Sequence, residues 1–241
     1  MMLPLFYVTE LPTEINERIR LVGQVGHHLA RVLRATPGEE LLLSDGHGRW
    51  SRACVTEVDK TSVDLAVLES GYQPDREISI TVVQAITKGE RTRENIELLV
   101  EAGVDRIVPW QASRSIGRLP EGVGKLQAAV VEAGKQSRRY YLPEVADVAD
   151  TPRLLAIIRS ADLALVLDAH ATEKLTEIVS RVAYIKSVVL VVGPEGGMTD
   201  DELQAMSEDG AKLVRLGRPI FRSAHAGIAG VSAVSVALGL W

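Results

Sequence analysis

The stretch Val188-Val189-Leu190-Val191-Val192-Gly193-Pro194-Glu195-Gly196-Gly197-Met198-Thr199-Asp200-Asp201-Glu202 sets the frame for the rest of the chain. Its first residues form an unbroken β-branched and leucine run, the pattern of a strand buried on both faces. The run stops at a loop with three glycines, and glycine lets a ligand approach the backbone because no Cβ intervenes. Thr199 then starts a helix, and Glu202 completes a Thr-x-x-Glu capping box. Taken alone, this is either a binding loop at a strand end or a plain strand-to-helix turn. Two nucleotide-binding loops do not fit: the glycines lack the G-x-G-x-x-G spacing, and no Gly-Lys-Ser/Thr follows.

Strands and helices alternate around this stretch. Residues 78–86 read as a strand, and 90–102 as a helix packed through Ile96, Leu99, Val100 and Gly103. A second strand follows at 106–110. A loop carrying Arg114, Arg118 and Pro120 leads to a helix from about Lys125 to Arg138, packed through Leu126, Ala129, Val130 and Ala133. Further strands are expected at 163–168 and 213–216, and a last helix at 226–238. Such alternation predicts an α/β fold with a mostly parallel sheet and helices on both faces. Ligands of such sheets bind where strands end, which points to the loops 168–170, 193–197 and 217–222.

Ahead of the polar segment Gly71-Tyr72-Gln73-Pro74-Asp75-Arg76-Glu77 the pattern changes. Short β-rich runs at 5–8, 40–44, 49–58 and 62–69 alternate with the turn signals Pro37-Gly38 and Asp45-Gly46-His47-Gly48, which predicts a small β-barrel. One helix interrupts it, with Val25, Leu29, Val32 and Leu33 on the packed face and a basic stripe of His27, Arg31 and Arg34 on another. The chain therefore divides into a barrel domain, residues 1–72, and an α/β domain, residues 73–241.

At 241 residues and 46% hydrophobic, the chain can bury a sizeable core. A net charge of −5 opposes a protein that coats nucleic acid through its overall field, so RNA contact needs a local basic surface. Aromatic residues at 4% argue against a broad base-stacking platform. Cys54 is the one cysteine, which rules out an internal disulfide and fits a reducing compartment. Residues 1–8 lack the basic flank and apolar core of a signal peptide, and no apolar run is long enough to span a bilayer. The expectation is a cytoplasmic protein without a membrane partner.

A second run, Leu213-Val214-Arg215-Leu216-Gly217-Arg218-Pro219-Ile220-Phe221-Arg222-Ser223, precedes a helix rich in Ala and Gly. Together the two runs resemble the SPOUT class of RNA methyltransferases, and specifically the RsmE family, which methylates N3 of a uridine in 16S ribosomal RNA of the small subunit. The likeness covers nearly the whole chain. It includes His28-Leu29-Ala30-Arg31-Val32-Leu33-Arg34 with Pro37-Gly38 and Asp45-Gly46, and Gln84-Ala85-Ile86-Thr87-Lys88-Gly89-Glu90-Arg91 leading into Ile96-Glu97-Leu98-Leu99-Val100-Glu101-Ala102-Gly103. Glu132-Ala133-Gly134-Lys135-Gln136-Ser137-Arg138-Arg139 and Pro143-Glu144-Val145 match as well.

The resemblance implies an amino-terminal PUA-like RNA-binding barrel and a SPOUT α/β domain whose end threads a loop to form a trefoil knot. It also implies a homodimer acting on 16S rRNA or the assembled 30S subunit. The S-adenosyl-L-methionine pocket it implies uses Gly193, Pro194, Glu195, Gly196 and Gly197 with Leu216, Gly217, Ile220, Phe221 and Arg222. A loop from Leu167 to His170 closes that pocket.

Methyl transfer from a sulfonium is an in-line displacement that needs no metal, so the protein must position the reactants and handle one proton. Uracil N3 loses its proton before or during attack, which calls for a base or for a cation that stabilises the uracil anion. Many relatives read Arg-Thr-Glu-Thr where this chain has Arg222-Ser223-Ala224-His225, so the familiar carboxylate position is Ala224. Arg222 is read as the residue that orients the uracil or stabilises its anion. His225 has two readings: a proton acceptor, since histidine exchanges a proton near neutral pH, or a residue that caps or packs the last helix. Glu195 either faces the sulfonium or caps the helix that follows. Lys88, Arg91, Arg114, Lys135, Gln136, Arg138 and Arg139, joined by His27, Arg31 and Arg34, form the candidate RNA-facing set. Two other readings stand beside this one: a SPOUT enzyme for transfer RNA or another base, and a non-catalytic RNA-binding assembly protein that has kept the pocket.

Overall fold

The computed structural model describes residues 3–89, 91–119 and 121–241. Glu90, the expected start of the first α/β helix, and Pro120 of the loop after it lie outside the described residues, as do Met1 and Met2. The chain divides into two compact units. One comprises the residues up to Asp75 together with Gly134–Leu142; the other comprises Arg76–Ala133 and Pro143–Trp241.

The first unit contains β1 (Leu5–Tyr7), β2 (Arg18–Leu21), α1 (Gly23–His27), β3 (Glu40–Ser44), β4 (Arg49–Val58) and β5 (Val63–Tyr72). Its sheet order is β1-β3-β4-β5-β2, with β1 parallel to β3 and the other neighbours antiparallel. Leu41 and Leu43, Ala53 and Val55, and Val63 and Leu65 alternate inward at the strand period and meet Phe6 and Leu29 in one core. The sheet is thus a curled half-barrel, and among the described residues no ladder joins β1 to β2. The β2 strand escapes sequence patterning because Arg18-Ile19-Arg20-Leu21 is a charged edge, and charge on an edge discourages further pairing. β5 runs on into the expected linker. Gly71 permits this, since a Cβ there would stand 2.6 Å from the Trp50 ring.

The helix of this unit departs from its expected form. After His27 the backbone widens into a π-helical segment, His28–Leu33, and Arg34 ends it in the left-handed conformation at φ 54°. Hydrogen bonds five residues apart underwind the turn. Leu29 is therefore buried, whereas Val32 and Leu33, expected beside it, are exposed. Arg31 donates from Nε to the carbonyl of Lys60, and the stripe of His27, Arg31 and Arg34 no longer follows one regular helical face.

The segment Gly134–Leu142 completes this unit. The Leu142 amide donates to the Gly46 carbonyl and the Gly48 amide to the Tyr140 carbonyl. The Tyr140 ring stacks on Trp50 with 5.5 Å between centroids. Tyr7 donates from its hydroxyl to the Arg139 carbonyl at 2.6 Å, and burial pushes that hydroxyl well above the ordinary phenol range.

The second unit is built from β6 (Ser79–Ala85), α2 (Arg91–Glu101), β7 (Arg106–Trp110), α3 (Gly124–Ser137, whose last turn groups with the first unit), β8 (Glu144–Val145) and α4 (Thr151–Arg159). It continues with β9 (Leu163–Leu167), α5 (Leu175–Val179), β10 (Ser187–Val192), α6 (Asp200–Glu208), β11 (Lys212–Val214) and α7 (Ser223–Ala237). Its six strands are all parallel, in the order β11-β9-β10-β6-β7-β8. One face packs Val83, Val108, Val166, Val189 and Val191 against Leu154 and Ile158 of α4 and Met206 of α6. The other carries α7, which crosses β10 and β6 and is flanked by α2 and α5. Glycines seat α7: a Cβ on Gly230 would lie 2.6 Å from Leu190 Cδ2, and one on Gly227 would lie 3.0 Å from Leu99 Cδ2. This helix starts at Ser223, before the expected Ala226. Arg222 occupies its N-cap without a side-chain hydrogen bond, so the usual start signal is missing.

Candidate functional site

The carboxyl ends of β9, β10 and β11 open onto a cavity of about 850 Å³, within the range of roughly 300–1,000 Å³ found for ligand pockets. The expected cofactor residues all line it: Leu167 at the end of β9 and His170 after it, Gly193, Pro194, Glu195, Gly196 and Gly197 after β10, and Leu216, Gly217, Ile220, Phe221 and Arg222 after β11. His225 lines it too, as do Arg91 and Arg114.

Backbone pairing holds these loops together. The amide of Asp168 donates to the Val214 carbonyl, while Arg215 donates to the Glu173 carbonyl and accepts from the Leu175 amide. The chain after β11 thus runs along the loop after β9 and then delivers the start of α7 to the end of β10. There the Ser223 hydroxyl donates to the Gly193 carbonyl at 2.6 Å and accepts from Gln84 Nε2 at 3.1 Å. Asn95 Nδ2 donates to Gln84 Oε1 at 3.2 Å and to the Ala224 carbonyl at 2.8 Å. Gln84, Asn95 and Ser223 are all buried. Most buried polar groups find partners, and the bonds made by Gln84, Ser223 and Asn95 Nδ2 tie β6, α2, the glycine loop and α7 into one network. Sequence reasoning missed its architectural role, because Gln84 and Ser223 are 139 positions apart and no local pattern marks them.

The glycine loop has its own supports. Gly197 adopts φ 72°, a left-handed conformation natural to glycine, and its amide donates to the Pro194 carbonyl at 2.9 Å. Arg114 donates from one guanidinium nitrogen to the carbonyls of Gly196 and Met198, each at 3.3 Å. The capping box is closed: Thr199 Oγ1 accepts from the Glu202 amide, and the Glu202 carboxylate accepts from the amides of Thr199 at 2.9 Å and Ser113 at 2.8 Å. Burial pushes the Glu202 carboxyl pKa upward, but the hydrogen bonds to its ionised form outweigh burial and hold it below its usual value.

Among the described residues, one ion pair and one carboxylate–imidazole contact border the cavity. Arg91 lies 3.7 Å from Glu195, and His225 Nε2 lies 3.7 Å from Glu94 Oε1. Ala224 is buried with its carbonyl held by Asn95. Glu94, by contrast, projects from α2 to line the cavity. The candidate RNA-facing residues fall into separate groups. Arg91 and Arg114 border the cavity, and Lys88 is exposed before α2. Lys135, Gln136, Arg138 and Arg139 belong to the first unit, Arg138 with φ 55°. Among the described residues no cluster of His, Cys, Asp and Glu could hold a metal ion, and no helix is long and apolar enough to cross a membrane.

Comparison with known proteins places these features in a family. A model described as RNA methyltransferase domain matches residues 74–235, and one described as RNA methyltransferase PUA domain matches residues 21–68. Ribosomal RNA small subunit methyltransferase E of Mycobacterium tuberculosis is 39% identical over 98% of this chain and 93% of its own length. The protein of the same name from Bacillus subtilis is 26% identical over 95% of this chain and 91% of its own. Among solved structures, ribosomal RNA small subunit methyltransferase E from Neisseria gonorrhoeae, bound to S-adenosyl methionine, superposes with a TM-score of 0.88 at 29% identity, covering 100% of this chain and 98% of that one.

Proposed function

We infer the chemistry from one premise: the chain belongs to the ribosomal RNA small subunit methyltransferase E family. On that basis we propose that it methylates N3 of a uridine in 16S rRNA of the small ribosomal subunit, using S-adenosyl-L-methionine. The observation that carries this reading is the convergence of the loops after β9, β10 and β11 on one cavity at the carboxyl edge of a parallel sheet.

The residues present fit that cofactor. The cavity has adequate volume, and Gly196 and Gly197 leave bare backbone for close approach, backed on one side by Arg114. Leu167, Leu216, Ile220 and Phe221 supply apolar wall, while backbone groups at Gly193 to Gly197 and Leu216 to Gly217 offer hydrogen bonds to a polar ligand. When bound, the cofactor supplies an electrophilic methyl group on a cationic sulfur.

The chain's own residues handle the rest. Arg222, at the N-cap of α7, orients the uracil and offsets the negative charge that grows on it when N3 is deprotonated. His225, in the first turn of α7, accepts the N3 proton. Glu195 stays with Arg91 as a support of the loop. Lys88, Arg91, Arg114 and the basic residues of the first unit grip phosphates, which makes activity fall steeply with added salt. The enzyme works as a cytoplasmic homodimer. Exposed Ile220 and Val236, at 79% and 65%, support an apolar contact with a second copy.

The test is transfer of tritium from labelled S-adenosylmethionine to 30S particles that lack the modification, followed by nuclease mapping. Label at uridine N3 supports the reading. Label on another base, or on transfer RNA, overturns the substrate assignment. No transfer despite cofactor binding supports a non-catalytic role.

A further inference from the structure

The buried methyl of Ala224 leaves the first turn of α7 without an acid of its own, yet an acid does reach His225. It comes from α2, where Glu94 lines the same cavity and sets Oε1 3.7 Å from His225 Nε2. Both side chains remain about half exposed, at 46% for His225 and 57% for Glu94, so a substrate can reach the imidazole. The other charged or titratable groups lining the cavity are Arg91 on α2, Arg114 after β7, Asp168 and His170 after β9, Glu195 after β10, Asp200 at the start of α6, Arg215 after β11 and Arg222 before α7. Arg91 is engaged with Glu195 and Arg222 sits at the helix N-cap, and among the described residues Glu94 is the carboxylate found within 4 Å of the imidazole.

We propose that Glu94 and His225 form a two-residue proton-accepting unit for methyl transfer, with His225 as the catalytic base and Glu94 as the residue that positions it and stabilises the imidazolium it becomes. The inference rests on the reading of the site as a uridine N3-methyltransferase. The helix end explains why a carboxylate is needed. His225 lies in the first turn of α7, where the partial positive charge of the helix N-terminus opposes an imidazolium. A carboxylate 3.7 Å from Nε2 offsets that opposition through charge, without a hydrogen bond. In the step, the uracil N3–H bond breaks and its proton passes to the unprotonated imidazole nitrogen. The N3 electron pair forms the new bond to the methyl carbon. The carbon–sulfur pair stays on sulfur, which leaves as the neutral thioether. The imidazolium then returns its proton to solvent, with the Glu94 carboxylate holding it until release. The acid thus arrives from α2 rather than from the first turn of α7.

The test compares wild type with His225→Ala, Glu94→Gln and Glu94→Asp on 30S particles lacking the methyl group. Loss of a general base costs about 10²–10⁴-fold in kcat, so His225→Ala is expected to fall in that range with KM for the subunit little changed. Glu94→Gln is expected to lose about fivefold, the scale of an exposed ion pair, and to shift the acid limb of the pH–rate profile to lower pH. Glu94→Asp restores part of that loss. Cofactor affinity by calorimetry and melting temperature stay at wild-type values for Glu94→Gln, which separates proton handling from a folding defect.

A chemical rescue adds a second arm. Subunits reconstituted with 16S rRNA containing 5-fluorouridine carry a more acidic N3–H, so His225→Ala and Glu94→Gln recover toward wild type on them. Wild-type label at N3 combined with a Glu94→Gln enzyme of unchanged kcat and unchanged acid limb would overturn the paired unit alone. Variants that fluorinated substrate does not rescue would overturn it as well. A wild-type enzyme that leaves N3 unlabelled would overturn the underlying reading together with it.

Discussion

Ser223→Ala isolates the bond that fastens α7 to the cofactor loop. The hydroxyl donates to the Gly193 carbonyl at 2.6 Å and accepts from Gln84 Nε2, which also donates to the Ala85 carbonyl, while Gln84 Oε1 keeps its bond from Asn95. Both Gln84 and Ser223 are buried, at 4% and 8% exposure, so water does not readily replace the lost partner. Deleting the hydroxyl removes a bond worth about 1 kcal/mol net and strands an acceptor at a cost of about 1–3 kcal/mol, for an expected loss of about 2 kcal/mol. For 150–250 residues, each kcal/mol lowers Tm by about 2–4 °C, which gives a drop of about 4–8 °C by scanning calorimetry. The Gly193 carbonyl also loses its anchor at the mouth of the pocket. We expect S-adenosylmethionine affinity to weaken roughly tenfold in titration calorimetry, equivalent to about 1.4 kcal/mol. A variant with wild-type Tm and wild-type cofactor affinity would show that the network neither stabilises the unit nor shapes the loop.

Other outcomes follow from the same geometry. Glu202→Gln removes a carboxylate held ionised by the Ser113 and Thr199 amides and should cost about 1.5–3 kcal/mol at neutral pH in urea titrations. Because the folded-state pKa is depressed, that contribution is full above the unfolded value of about 4.3 and disappears as pH falls through the folded one. The gap between wild type and Glu202→Gln should therefore narrow below about pH 4; a constant gap down to acid unfolding would contradict the assignment. Gly230→Val forces side-chain atoms into Leu190 and Leu167 and should destabilise by about 1–3 kcal/mol, read as a lower urea midpoint.

Local chemistry made part of this molecule legible. The β10 run, the glycine loop and the Thr199 capping box are each written in adjacent residues, so all three were visible before the structure. The parallel α/β unit followed from the alternation of strand and helix patterns. Other elements were hidden for identifiable reasons. The strand at Arg18–Leu21 is masked by its arginines, and α4 was passed over although Asp150 caps it and Pro152 lies in its first turn. The exposure of Val32 and Leu33 depended on a π-helical widening that periodicity cannot encode. At the site, glycine spacing and resemblance named the cavity walls, but the Gln84–Asn95–Ser223 network and the approach of Glu94 to His225 join side chains remote in sequence, and only the fold brings them together.

The same serine that seats α7 also holds the pocket's rim, which gives the protein a built-in reporter. Whatever tightens the rim also slows the opening of the helix, since neither can loosen without breaking the shared bond to Gly193. Amide hydrogens of α7 should therefore exchange with deuterium more slowly as cofactor is titrated, even those far from the ligand near Val231 and Val234. Protection along this buried helix becomes a direct measure of how full the pocket is.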